Sequence, residues 1–398
     1  MSDWSPYIRD METTSFEAVV VGGGPAGLAS ALALARAGRA TALIDPAGDA
    51  LPPAGRTTAV MAPQADFLRG LGAWPAAAED APLRGLRIVN RGDGEDETLF
   101  LADELGLDAF AWNVPNAALV EAMRAAAAGG ITTVGARLAD LERARGNWRL
   151  RLDDGRRLTT TLLVGADGKQ SRVREALKIA VRRHDYGQIA NTAKLAITGG
   201  HDNISTEIHK PGGPFTTVPA GEQAVSLVWL EPSAAGERLA GLDDQDFLEA
   251  CAREDRARHG RFVGVEGRAA VPVIGLLAER LAAPGAVILG EAAHAVSPLG
   301  AQGFNLSLRD AAGLGALARE PGFAKADRLC RYERERLGET RMVFWFVDAL
   351  NRSVQRPEAA LRLFSGIGLQ AVAALPPVRR AVMARLLEPH LLPRNERS

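Results

Sequence analysis

Cysteine is nearly absent from this chain. Cys251 and Cys330 are the only two in 398 residues. That is too few for a disulfide framework, and they lack C-x-x-C spacing, so both are expected as reduced core or surface residues without a redox role. Net charge is as scarce, at −1, which excludes the broad basic field of a nucleic-acid binder. The six histidines, His184, His201, His209, His259, His294 and His390, show no paired ligand spacing, and no metal is expected. No G-x-S-x-G or comparable nucleophile motif occurs. No uncharged apolar run approaches the ~18 residues of a membrane-spanning helix, so any membrane contact must be peripheral. The start of the chain carries Asp3, Asp10 and Glu12 and reads as neither signal nor transit peptide. Residues 1–16 are expected as a tail, and the chain as cytoplasmic. An apolar content of 47% and a charged fraction of 24% fit a globular protein large enough for two joined domains.

Glycine, by contrast, is concentrated where it carries information. A short apolar strand, Ala18–Val21, runs into Gly22, Gly23, Gly24, Pro25, Ala26 and Gly27, then an Ala/Leu helix ends near Gly38. Gly22, Gly24 and Gly27 satisfy G-x-G-x-x-G: a tight turn, room for a pyrophosphate, and close packing of helix on strand. A second strand, Thr41–Ile44, ends at Asp45, near the ~20-residue spacing of an acid that binds ribose. Pro25 favours the FAD form of the turn. Arg56 follows and reads either as a surface charge or as a contact to cofactor phosphate or ribose. The strand–loop–helix pattern recurs at Asp167 and Gly168. It recurs again where the run Ala286–Leu289 enters Gly290, Glu291 and a loop with Pro298, Gly300 and Gly303, after which Asn305 onward has helical spacing. Loops of this kind aim free N–H groups and a positive helix end at a ligand with negative charge.

Between residues 181 and 273 the texture is β-rich, with strands predicted over 188–197, 205–209, 216–218 and 224–230, and a helix over about 243–259. Phe215 and Trp229 read as either core or pocket. Residues 328–342 read as a long charged helix, followed by the aromatic cluster Phe344, Trp345, Phe346. That cluster suits either a helix–helix core or an apolar channel. Residues 378–387 form a basic amphipathic segment, a solvated helix or a surface for anionic lipid.

Three segments, GGGPAGLASALALARAG, VGADGKQSRVRE and GEAAHAVSPLGAQGFNLSLRDA, resemble the fingerprints of the group A flavoprotein aromatic hydroxylases, which share the para-hydroxybenzoate hydroxylase fold. GRTTAVMAPQADFLRGLGAW, GPFTTVP, SLVWL and YERERLGETRMVFWFVDAL are similar to the ubiquinone-biosynthesis hydroxylases of the UbiH/UbiF/COQ6 group. The resemblance spans about residues 17 to 385. It implies an α/β fold: a discontinuous Rossmann-like FAD-binding domain (17–72, 100–180, 281–340), a β-rich substrate domain (73–99, 181–280) and C-terminal helices (341–398). It implies that Gly22, Gly24, Pro25, Ala26 and Gly27 hold the FAD pyrophosphate and Asp45 the ribose. Asp167 and Gly168 would serve FAD and NAD(P)H. Glu291 stands where the family has Asp, one methylene longer. Pro298 and Gly300 would border the oxygen-activation space, and Gly303, Phe304 and Asn305 the flavin pyrimidine edge. Phe215, Trp229 and His209 are the substrate-site candidates, and no catalytic base is assigned.

The implied activity is NAD(P)H- and O2-dependent ring hydroxylation of a polyprenylated phenol through a flavin C4a-hydroperoxide. Other ubiquinone-biosynthesis proteins are its expected partners, and contact with the inner face of the membrane would be peripheral. The alternatives are a hydroxylase of a small soluble aromatic compound and a non-catalytic flavin-binding subunit.

Overall fold

Val19 to Val21 and Leu162 to Val164 are buried on both strand faces, as expected of adjacent strands in a parallel sheet covered by helices. The computed structural model describes residues 13–48, 50–53, 55–91 and 95–355. The first sheet has eight strands, five of them parallel in the order 286–288, 157–165, 13–21, 41–44, 132–134, with 282–283 antiparallel beside 286–288. The hairpin pair 138–144 and 147–152 joins it antiparallel along the first half of strand 157–165. The first strand begins at Thr13, in register with Arg157. Part of the expected tail is therefore sheet, because Thr13–Phe16 have a partner strand to pair with. The basic segment 378–387, and the expected C-terminal helices beyond residue 355, lie outside the described residues.

The helix Pro25–Arg36 leaves the first strand, and Gln302–Ala318 packs along it. Beneath them lies a core of Leu28, Leu32, Leu68, Leu308 and Leu314.

The second sheet has eight strands in the order 294–295, 262–278, 181–197, 224–232, 215–219, 204–209, 85–91, 95–101. Strand 262–278 was not legible as a strand, because Gly264, Gly267 and Pro272 interrupt its alternation. It forms nonetheless, since the equally long strand 181–197 pairs with it antiparallel, with bulges that absorb the irregularity. The helix expected over 243–259 is Asp244–Asp255, and a further helix that was not expected, Ser233–Gly241, precedes it. Asp243 caps the second by accepting from the Asp246 N–H at 2.8 Å.

Ala326–Gln355 is one continuous helix, so the expected boundary at residue 340 falls inside it. It joins the two sheets. Val343 and Val347 pack on Leu299 and Leu306 beside the first domain. Asp348 accepts from the Tyr186 hydroxyl at 2.8 Å, and Asn351 donates to Gln188 at 3.0 Å, both on the second sheet. Phe344 is buried, whereas Trp345 and Phe346 are about half exposed. The aromatic cluster is thus split by helical geometry between the core and the surface. Among the described residues, no helix is long and apolar enough to cross a membrane.

Candidate active site

The three strand–loop–helix segments converge on one cavity of about 870 Å³. Gly22, Gly24, Pro25, Ala26, Asp45, Arg56, Asp167, Gly168, Glu291, Gly303 and Phe304 all line it. Two helices begin at its wall, at Gly24 and at Ala301, and neither has a side-chain cap. The free first-turn N–H groups therefore face the cavity, where they suit an anionic ligand.

The glycines of the first turn divide by task. A Cβ on Gly27 would stand 1.8 Å from the Gly22 carbonyl oxygen, so this glycine permits helix–strand contact. A Cβ on Gly24 would meet nothing within 4 Å and would project into ligand space.

Asp45 is buried, accepts from the Ala47 N–H at 3.0 Å and pairs with Arg124 at 3.4 Å. Asp167 lines the cavity, but its carboxylate is committed to the loop: it accepts from the Ser171 hydroxyl and from the Val173 N–H at 3.1 Å. Ser171 in turn caps the short helix 172–176. Glu291 is exposed at the mouth, 3.5 Å from Lys169, joining two of the three loops. Asn305 lines neither this cavity nor the next one. Its buried amide accepts from the Met61 N–H at 2.9 Å and donates to the Ala59 and Ala301 carbonyls at 2.8 Å. It ties the strand Thr57–Met61 to the start of the helix.

Beneath the Gly290–Asn305 loop lies a charge network that the sequence reading did not find. Asp310 is wholly buried, 2.6 Å from His294 Nε2 and 2.9 Å from Arg336 Nε. Arg336 also pairs with Glu339, which Arg309 approaches at 2.9 Å. Burial opposes the Asp310 charge, but His294 and Arg336 outweigh it and hold the carboxyl below its usual range. Burial likewise opposes the Arg336 charge, and Asp310 and Glu339 outweigh it, so that guanidinium is held the more firmly protonated. His294 Nδ1 is buried without a hydrogen-bond partner, and His294 lines the cavity. The signal was helical spacing: Asp310 follows the loop by two turns, and Arg336 and Glu339 share one face at i, i+3.

A second cavity, of about 330 Å³, shares Val296, Gly303 and Phe304 with the first. Pro298 and Gly300 line it, with Leu83, Leu86, Phe110, Val228 and Leu230. Gly300 and Ala301 are both left-handed, at φ +64° and +52°. The turn into the helix thus holds a non-glycine residue at a cost of about 1–2 kcal/mol.

The substrate-site candidates require correction. Phe215 and Trp229 sit opposite each other in register, meet edge-to-face at 5.2 Å, and pack under Phe247. Strand alternation sends them to the closed core, while their neighbours Thr216 and Val228 line the cavity. His209 is buried behind the wall, 2.6 Å from Glu207, which does line the cavity. Among the described residues, no cluster of three or more His, Cys, Asp or Glu could hold a metal.

The uncapped helix starts, the open space at Gly24, the buried acid at Asp45 and the unpartnered His294 nitrogen together fit a dinucleotide with one end at Asp45 and the other near Gly303. A family profile described as FAD binding domain matches residues 15–344. The chain belongs to that family, and it is an FAD-dependent monooxygenase.

It is 29% identical over 384 residues to ubiquinone hydroxylase UbiL of Rhodospirillum rubrum, covering 92% of this chain and 88% of that protein. It is 28% identical over 373 residues to 3-demethoxyubiquinol 3-hydroxylase of Escherichia coli, covering 89% and 94%. In fold it matches Pseudomonas aeruginosa PqsL in complex with 2-aminobenzoylacetate, at TM-score 0.77 and 21% identity, covering 89% of this chain and 100% of that one. It also matches p-nitrophenol 4-monooxygenase PnpA from Pseudomonas putida, at TM-score 0.77 and 16% identity, covering 95% and 99%.

The division of labour between the glycines has a direct consequence. Gly24→Ala is expected to keep the wild-type melting temperature of the apoprotein within about 2 °C and to lose most FAD. Gly27→Ala is expected to lower apoprotein stability by at least about 2 kcal/mol, through overpacking. Flavin absorbance and thermal melts check both.

Replacing Asp310 with Asn breaks a buried ionic network and should cost about 3–5 kcal/mol at pH 7. The folded carboxyl titrates below its unfolded value. Its contribution is therefore full above the unfolded value of about 4 and is lost as pH falls through the folded value. Urea midpoints of the two proteins should converge below about pH 4.

Proposed function

We propose that this protein hydroxylates the aromatic ring of a polyprenylated phenol in ubiquinone biosynthesis, using NAD(P)H and O2. The observation that carries the reading is that an apolar cavity adjoins the larger one, the two sharing Val296, Gly303 and Phe304 in their lining. Similarity over most of the chain to ubiquinone hydroxylase UbiL and to 3-demethoxyubiquinol 3-hydroxylase supports it.

The turn at Gly22–Gly27, Asp45, and the loops at Asp167 and Glu291 would hold FAD, with its reactive ring toward Gly303. Bound there, FAD supplies the redox chemistry: it takes a hydride from NAD(P)H and lets O2 give one atom to the substrate and the other to water.

The chain contributes position, charge and dryness. The uncapped start of the helix 302–318 places partial positive charge where the two cavities meet, which favours negative charge developing there. Leu83, Leu86, Phe110, Val228 and Leu230 give the ring an apolar seat. Exclusion of water protects the oxygen-transfer step from loss as hydrogen peroxide. A cavity of about 330 Å³ is at the lower end for a drug-sized ligand. It suits the ring and the start of a tail, so the remaining isoprenoid must leave along the surface. A peripheral approach to the inner face of the membrane would supply such a lipid.

The test is to purify the protein, record its flavin spectrum, and follow NADPH and NADH oxidation with and without a farnesylated phenol. The expected outcome is bound FAD, oxidation stimulated at least tenfold by the phenol, and a product heavier by one oxygen. Bound FAD with no stimulation by any phenol would contradict the reading and favour a flavin-binding subunit without catalysis.

A further inference from the structure

The sheet wall of the second cavity is built by strict alternation. On strand Ile204–His209, Ile208 faces the closed core, while Ser205 and Glu207 face the cavity. In register beside Glu207 stand Thr216 on one strand and Ile88 on the other. Glu207 is the only ionisable side chain among the described residues lining this cavity. At 9% exposure it is not a solvated surface charge. Desolvating a carboxylate in an apolar seat is costly unless it is bonded, and Glu207 is bonded. Its Oε1 lies 2.6 Å from His209 Nε2, and His209 Nδ1 lies 3.1 Å from Asn90 Oδ1. The imidazole is thus fixed at both nitrogens, and it holds the carboxylate in place at the cavity wall.

We propose that Glu207, positioned by His209, receives the ring hydroxyl of the substrate and takes its proton during hydroxylation. This rests on the hydroxylase reading above. The phenol O–H bond breaks, and a new O–H bond forms on the Glu207 carboxylate. The electron pair left on the phenolate oxygen spreads to the ring carbons ortho and para to it, where the ring becomes more nucleophilic toward the oxygen atom derived from O2. The hydroxylated carbon then loses its hydrogen as a proton to the second oxygen atom of O2, which leaves as water; the ring regains aromaticity, and the phenolate oxygen recovers its proton from Glu207. His209 keeps contact with the carboxylate in either state. The same charge selects substrates. In a seat of low dielectric a fixed carboxylate repels an aromatic acid and accepts a neutral phenol.

The experiment uses the full-length, FAD-loaded protein and three probes: 2-farnesylphenol, its methyl ether, and a trifluorinated 2-farnesylphenol with the ring carbon para to its hydroxyl left open, all assayed at about pH 8.5, where the fluorinated phenol is mostly ionised and the ordinary one is not. Binding is read from the flavin absorbance, and turnover from hydroxylated product. Wild type should bind the phenol at least tenfold more tightly than the ether, and Glu207→Gln should lose most of that preference. Turnover of the ordinary phenol should fall about 100-fold in Glu207→Gln, within the usual range for losing a proton acceptor. For the ionised phenol the loss should vanish or reverse, because no proton needs removal and a repulsive charge is gone. Glu207→Asp should recover at least a tenth of the ordinary turnover, and His209→Gln should fall between.

Equal loss with both phenols, or no loss, overturns the proposal and leaves Glu207 a structural residue. If wild type hydroxylates no phenol, the hydroxylase reading fails by itself. The phenol-to-ether binding ratio still decides the contact, since equal wild-type affinities overturn it. The same ratio in wild type decides if Glu207→Gln does not hold FAD.

Discussion

Asp310 is buried between a histidine of the Gly290–Asn305 loop and an arginine of the long C-terminal helix, and the geometry of the site depends on that clamp. His294 and Arg336 approach its two oxygens at 2.6 and 2.9 Å. The loop must run from a buried strand to a helix N-terminus across the floor of the larger cavity. Its glycines and its three left-handed residues, Gly290, Gly300 and Ala301, give it little rigidity of their own. The charge network supplies the rigidity from below, and the Asn305 amide supplies it from the side. A buried carboxylate left alone would be destabilising by several kcal/mol. Bonded to both His294 and the Arg336 guanidinium, it ties together three segments distant in sequence.

That fixed loop also stands between the larger cavity, proposed for the cofactor, and the smaller one, proposed for the substrate ring. Val296, Gly303 and Phe304 belong to both cavities, and the turn Pro298–Ala301 belongs only to the second. The long helix secures the arrangement across domains, since its early turns hold Asp310 and its last turns hold Tyr186 and Gln188 of the second sheet. Movement of one sheet relative to the other would have to break those buried bonds. The catalytic geometry therefore rests on packing between the domains as well as within them.

Much of this was legible in sequence where local chemistry and fold agree. The turn at Gly22–Gly27, the acid at Asp45 and the loops at Asp167 and Glu291 are short-range patterns, and each contributes to the larger cavity, the one proposed for FAD. What sequence did not disclose depends on register and on distant pairing. Phe215 and Trp229 are large and apolar, but one residue of register decides which sheet face they occupy, and they occupy the closed one. Glu207 was not singled out in sequence, because nothing local shows that both faces of its short strand are covered. The clamp made by the Asn305 side-chain amide gave no sequence signal, because its partners Ala59 and Met61 lie far away in the chain. The strand 262–278 exists because strand 181–197 pairs with it, despite a proline and glycines that argue against it locally.

The central claim is that the protein transfers one atom of molecular oxygen, at the loop shared by the two cavities, to an aromatic ring seated on the sheet side. Mass spectrometry of the product formed under ¹⁸O2, from a farnesylated phenol, FAD-loaded protein and NADPH, tests it most directly. The account predicts one ¹⁸O atom on the ring and none when the label is supplied as H2¹⁸O. Oxygen taken from water, or consumption of NADPH that yields only hydrogen peroxide in the presence of the phenol, would contradict it.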